Sequence, residues 1–139
     1  MSQENVEIVR QAFADFAGDA TARGMLEQAV RGGLLAPDAE LDFSAMYPDG
    51  PILRGLDAWV DYLGAMPWGR SVRLKPERFF DVDDACVLVF MHITAEGETS
   101  GVPVAIRNAY ELTLRDGVVV RWKVYADQAE ALEAAGLSE

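Results

Sequence analysis

The chain has 139 residues, 50% of them hydrophobic, and its 23 acidic against 12 basic side chains give a net charge of −11. That length makes one domain, residues 1–139, with enough interior for an ordinary core, and the negative charge excludes nucleic acid and disfavours an anionic membrane surface as partners. A single cysteine, Cys86, and a single histidine, His92, exclude an internal disulfide and any metal site built from several cysteines or histidines.

The opening MSQENVEIVRQAF carries neither the basic region nor the apolar run of a signal peptide. No stretch reaches the length of a membrane-spanning helix, and a cytoplasmic protein is the default expectation. Ser2 can cap a first helix whose Glu4 and Glu7 complement its dipole, with Val6, Val9, Phe13 and Phe16 forming an apolar stripe up to Gly18. Asp19 can cap a second helix carrying Met25, Leu26, Ala29 and Val30, which stops at Gly32-Gly33. Pro37-Asp38 then opens a short strand, Ala39 to Ser44, in which Leu41 and Phe43 alternate with Glu40, Asp42 and Ser44. Met46 to Leu53, with Pro48, Gly50 and Pro51, reads as a loop.

Gly55 precedes a third helix, Leu56 to about Met66, with Trp59, Val60, Tyr62 and Leu63 on one side. Val72 to Val82 is a long strand interrupted by Pro76, which fits an edge position or a bulge. After the Asp83-Asp84 turn, Ala85 to Thr94 is apolar at both alternating sets, so it needs cover on both faces. Three helices cover only one side of such a sheet, and a partner subunit is expected on the other. A short acidic helix, Gln128 to Ala135, ends the chain and reads as a solvated face.

Between them lies the most informative stretch, Val102 to Asp127, two antiparallel strands joined at Arg115-Asp116-Gly117. A two-residue Asp-Gly loop is the first expectation, but it would set Leu112 against Arg121 and Glu111 against Trp122. A three-residue loop shifts the pairing by one. Leu114 then faces Val118, Leu112 faces Val120, Tyr110 faces Trp122 and Asn108 faces Val124. Glu111 faces Arg121 and Arg107 faces Tyr125 on the other side. Since a one-residue slip moves every side chain to the wrong face, the alternation favours the longer loop. Helices segregated from a mainly antiparallel sheet make an α+β domain.

The segments ENVEIVRQAFADFAGD, PDAELDFS, LRGLDAWVDYL and, above all, ELTLRDGVVVRWKVYADQAEALEAAG resemble the SnoaL-like, polyketide-cyclase-like branch of the nuclear transport factor 2-like superfamily. The resemblance covers nearly the whole chain. It implies a cone-shaped, cystatin-like fold, a curved mixed and mainly antiparallel sheet packed on three helices, with a deep pocket and usually a homodimer through the convex face. The fold hosts isomerases, cyclases, hydrolases, dehydratases and binders, so it assigns no reaction. By that resemblance, the ketosteroid isomerase base position falls on Phe43, its first-helix tyrosine near Ala12 and its second oxyanion donor on Tyr110. Two of those three roles are chemically vacant, which argues against steroid isomerisation by that mechanism. The polyketide-cyclase aspartate corresponds to Asp42, which alternates outward unless a bulge near Ser44 turns it in. Arg107, the arginine nearest to an epoxide-hydrolase arrangement, falls on the convex face.

Weighed as chemistry, Tyr110 and Asn108 are the polar groups expected on the pocket wall, with Phe43, Trp59, Tyr62, Leu112 and Trp122 lining it. Tyr110 and Asp42 are the catalytic candidates, and an arginine such as Arg54 is expected to pair with Asp42. Val89, Met91 and Ile93 turn inward by the same resemblance, leaving His92 and Cys86 as structural residues on the outer face. Tyr47 and Trp68 are candidates for the rim. No phosphate loop, metal helix or nucleophile elbow is present. The expectation is a protein that takes a small, largely apolar molecule in the cone and needs no cofactor. It would be either an isomerase, cyclase or hydratase, or a non-catalytic dimeric ligand-binding or protein-interaction domain.

Overall fold

The computed structural model describes residues 2–14, 22–64, 73–96 and 103–137. Its elements are α1 (Ser2–Ala14), α2 (Ala22–Arg31), β1 (Leu35–Ala45), β2 (Ile52–Arg54), α3 (Leu56–Gly64), β3 (Arg73–Asp81), β4 (Cys86–Glu96), β5 (Pro103–Arg115), β6 (Val118–Tyr125) and α4 (Gln128–Ala134). The predicted helix boundary at Phe16–Asp19 and the rim residue Trp68 lie outside the described residues.

All the strands join one mixed sheet, ordered β2-β1-β6-β5-β4-β3. Among the described residues, only the β1–β6 pair is parallel. It brings residues about eighty positions apart in sequence side by side, with Leu41 beside Trp122 and Asp42 beside Lys123. Pro76 falls at a register shift between β3 and β4, on the sheet edge, where a missing N–H is tolerated.

Two sequence expectations near β1 change. The strand begins at Leu35 and passes through Pro37, with a register shift between Leu35 and Glu40. The predicted Met46 to Leu53 loop ends instead in β2, which folds back antiparallel onto Glu40–Asp42. Gly50 makes the return possible: a Cβ there would stand 1.8 Å from the Phe43 carbonyl oxygen, while the Phe43 amide donates to the Pro51 carbonyl at 2.9 Å.

The β5–β6 hairpin sorts its faces as expected but by a different device. Asp116 (φ 53°) and Gly117 (φ 79°) both adopt the left-handed region, and Arg115 pairs with Val118, so the turn has the two-residue loop. A bulge then shifts the register between Leu114–Val119 and Thr113–Arg121. Leu112 faces Trp122, Tyr110 faces Val124, Glu111 faces Lys123 and Ala109 faces Tyr125. The shift runs opposite to the one expected from a longer loop. Either direction restores the alternation, because side-chain period two makes a slip of plus one and minus one equivalent in parity. The face assignments that change lie at the start of β6, where Val119 pairs with Leu114 and joins the inner core in place of Val118 and Val120.

The inner face carries α1, α2 and α3. Its core joins Val9 and Phe13 of α1, Leu41 and Phe43 of β1, Trp59 of α3, Val87, Val89 and Met91 of β4, and Tyr110, Leu112, Trp122 and Val124 of the hairpin. Ile93 packs against this cluster, so the inward parity of β4 is as the resemblance implied.

The outer face differs from expectation. Leu88 and Phe90 are buried within the single chain by Ala131 and Leu132 of α4, together with Ala109 and Tyr125. The C-terminal helix is therefore not a wholly solvated face, and it supplies cover that had been assigned to a partner subunit. Asp127 caps it by accepting from the Ala129 amide at 2.8 Å, and Gly136 (φ 75°) follows its last turn.

Leu132→Ala is expected to destabilise the fold by about 2–3 kcal/mol in urea unfolding, the usual cost of a large-to-small change in a core. A change below about 0.5 kcal/mol would show that α4 is a solvated appendage.

Candidate functional site

The inner-face residues of the hairpin meet α1 and α3 around one indole. Trp122 makes edge contacts with Tyr110 (ring centroids 4.9 Å apart), Trp59 (5.8 Å) and Phe13 (6.1 Å). Such geometry sets the positive edge of one ring against the negative face of another, and each pair adds about 0.5–1.5 kcal/mol beyond area burial. Trp59 is core: it is 1% exposed and its indole N–H donates to the Ala39 carbonyl at 3.1 Å. A second aromatic group stands on the β1 side. Phe43 packs against Tyr62 at 5.1 Å and stacks on Tyr47 at 5.9 Å. Tyr47 is packed against the core, and its hydroxyl is buried with no hydrogen-bond partner.

An apolar cavity of about 40 Å³ lies between α1, α2 and the hairpin, lined by residues that include Val9, Phe13, Leu35, Val119, Leu112 and Trp122. It has room for little more than a few water molecules, and its apolar walls offer them no partner. Leu112 and Trp122 line it; Tyr110, Asn108, Phe43, Trp59 and Tyr62 do not.

Asp42 and Asn108 are the buried polar residues among those described, each 2% exposed. They face opposite ways. Asn108 follows the inward parity of Tyr110, and its Oδ1 has no partner. Asp42 faces outward, where the Arg121 guanidinium donates to Oδ2 at 2.9 Å and the Ser44 amide donates to Oδ1 at 2.8 Å. Glu40 receives both Arg121 (3.0 Å) and Arg54 (3.0 Å), so the arginine on Asp42 is Arg121 and the expected Arg54 serves Glu40. The β1 irregularity between Asp42 and Ala45 does occur, but it leaves Asp42 on the outer face. Arg121 was invisible as the partner because the parallel β1–β6 pairing that delivers it joins distant parts of the sequence.

His92 also faces outward, in register between Lys75 and Arg107, and Arg107 bonds Glu77 at 2.9 Å. Among the described residues, no group of histidine, cysteine, aspartate and glutamate side chains is arranged to hold a metal ion, and no helix is long and apolar enough to cross a membrane.

Neither the models of protein families nor the curated proteins contain a match to this sequence. Solved structures do match, over nearly full length. A protein classed as a SnoaL-like polyketide cyclase from Jannaschia sp. CCS1 superposes with a TM-score of 0.65 at 17% identity, covering 99% of this chain and 94% of that one. A nuclear transport factor 2-like protein of unknown function from Burkholderia pseudomallei gives 0.65 at 20%, covering 93% and 95%. TerC, co-crystallised with polyporic acid, gives 0.64 at 21%, covering 95% and 98%. This is the nuclear transport factor 2-like fold.

Within a nuclear transport factor 2-like domain, proton transfer needs an acid or base on the inner face. Burial alone pushes the Tyr110 hydroxyl far above the ordinary phenol range, so it stays protonated. For Asp42, burial works to raise the pKa, but the Ser44 hydroxyl and amide, the Arg121 guanidinium and the charge of Lys123 outweigh it and hold the carboxyl below its ordinary 3.8. Cys86 is pushed up to about 12 by burial and then by Glu111 and Asp83, which leaves an unreactive thiol.

The sign of the Asp42 effect follows from its lowered folded-state pKa. Its ionised form is favoured by folding, so the stabilisation is complete above the unfolded value near 3.8 and is lost as pH falls through the folded one. Asp42→Asn is expected to cost about 1–3 kcal/mol at neutral pH. The gap from the parent chain should hold down to about pH 5 and close in stronger acid, as read by urea unfolding across pH. A gap that persists undiminished under strong acid would rule out the ion pair as its origin.

Proposed function

We propose that this nuclear transport factor 2-like chain binds a small, largely apolar molecule against the inner face of its sheet, with Tyr110 as hydrogen-bond donor. The observation that carries the reading is a buried, protonated tyrosine hydroxyl on an aromatic wall, beside Trp122 and near Asn108. Few convergent polar groups among apolar side chains are what fixes a small ligand. The similar TerC, co-crystallised with polyporic acid, supports the same use of the fold.

Binding is favoured over proton transfer because Asp42, the carboxylate proposed for that step, is engaged by Arg121 and Ser44 on the outer face. In an isomerase, cyclase or hydratase version, Tyr110 would polarise a carbonyl or enolate oxygen, and the base would come from elsewhere. A homodimer is a separate proposal. On the outer face, Lys75, His92 and Arg107 form a row in register, with Arg107 also bonded to Glu77. In a chain of net charge −11, such a row suits the acidic surface of a second copy, and sedimentation velocity showing a monomer at micromolar concentration would remove it.

Native mass spectrometry of protein from its own host is expected to show a retained small molecule, and that molecule should raise the melting temperature. Tyr110→Phe should leave the free chain's stability within about 1 kcal/mol, since burial is the one influence on its hydroxyl, yet weaken binding about tenfold. No retained molecule, together with an unchanged melting temperature across a library of apolar metabolites, would sink the reading.

A further inference from the structure

The outer residues of β4, Leu88 (0% exposed) and Phe90 (5%), are covered by one short helix. With Ala109 and Tyr125 they make an apolar floor on which Ala131 and Leu132 of α4 sit, and Ala45, Phe80 and Val82 pack around it. Lifting α4 away would open a contiguous apolar patch spanning β3, β4, β5 and β6, the kind of surface that drives association.

The helix is self-contained in everything but its docking. Asp127 caps its first turn by accepting from the Ala129 amide. At the other end the Gly136 amide donates to the Glu133 carbonyl at 3.0 Å, and the Leu137 amide to the Leu132 carbonyl at 2.8 Å. Its seven residues fall well short of the roughly 12–15 at which an isolated helix becomes stable in water, so it forms where it docks. What ties it to the sheet is the apolar contact of Ala131, Leu132, Ala135 and Leu137, and the Gln128 side chain donating to the Asn108 carbonyl at 3.1 Å. None of these contacts requires floor and helix to belong to the same molecule.

The connector between β6 and α4 is Ala126 and Asp127, both exposed. Asp127 already has extended backbone (φ −118°, ψ 123°), and the Ala126 amide reaches the Ala45 carbonyl only at 3.4 Å. A connector this short and this loosely held is the sort through which identical elements change places between copies.

We infer that α4 is exchanged between two copies of this chain, the helix of each docking on Leu88, Phe90, Ala109 and Tyr125 of the other with Ala126–Asp127 as the hinge. The partner is a second copy because the floor is already shaped to this helix. Each docking contact of the closed chain recurs across the pair, twice by symmetry, and only the hinge changes conformation. The exchanged form therefore grows with protein concentration. It is independent of the ligand reading, and it differs from association through the row at Lys75, His92 and Arg107. The exchanged interface is apolar and keeps its strength in salt, whereas a pairing of exposed charges is screened.

The test uses the full chain. Equal parts of isotope-labelled and unlabelled protein are unfolded together in urea, refolded near millimolar concentration and separated by size. In the dimer fraction, isotope-filtered nuclear Overhauser spectra are expected to show contacts between Leu132 methyls of one molecule and the Phe90 ring of the other. That fraction should persist in high salt. Inserting two glycines between Ala126 and Asp127 lets each helix return to its own sheet, and should lower the dimer fraction at least about tenfold. Recovery of monomer alone overturns the inference. So does a dimer whose Leu132–Phe90 contacts all lie within one molecule, and its dissociation in salt would assign it to the charged row instead. A dimer fraction unchanged by the inserted glycines overturns the hinge and the exchange with it. The measurement on the parent chain needs no variant.

Discussion

The register of the β5–β6 hairpin is the constraint on which the rest of the structure depends. It places Tyr110, Leu112, Trp122 and Val124 on one face and Ala109, Arg121, Lys123 and Tyr125 on the other. A slip of one residue would put Arg121 where Trp122 now meets Phe13, Trp59 and Tyr110, and would leave Asp42 without its guanidinium. The inner aromatic cluster and the outer ion network are two consequences of the same pairing. The turn and the bulge divide the work: Asp116 and Gly117 close the hairpin tightly, and the extra residue in β6 restores parity one step further in.

The outer face shows how much of a site's chemistry is decided by a strand's orientation. Glu40, Asp42, Arg54 and Arg121 form a connected network across β2, β1 and β6. It links the parallel pair and the short edge strand through side chains. It also engages Asp42 on the outer face, away from Tyr110 and Asn108. α4 completes that face by covering Leu88 and Phe90, and through Gln128 it fixes the backbone of Asn108 on β5. A short helix at the end of the chain thereby connects the outer core to the inner candidate site.

The fold and the candidate site bear differently on function. A nuclear transport factor 2-like sheet supports many chemistries, so the likeness to solved structures at 16–21% identity carries the architecture and no reaction. What narrows the reading is local: a tyrosine hydroxyl kept protonated by burial, its ring set against Trp122, and an amide oxygen with no internal partner.

The sequence by itself determined the α+β class, the order of most elements and the inward set on β5, because period-two alternation and turn residues are local properties of the chain. Tyr110, Asn108 and Trp122 were legible as inner-face residues for that reason. The outward turn of His92 came from the family resemblance, since both alternating sets of its strand are apolar. What only the tertiary structure decided depends on contacts between distant segments. The return of β2 onto β1 requires Gly50 to approach the Phe43 backbone. The partner of Asp42 is Arg121 because β1 lies parallel to β6. The direction of the hairpin shift was undetermined by alternation, since both directions satisfy it equally. The cover over Leu88 and Phe90 came from α4, whose acidic sequence carries two residues, Ala131 and Leu132, that are buried because the helix docks on the sheet.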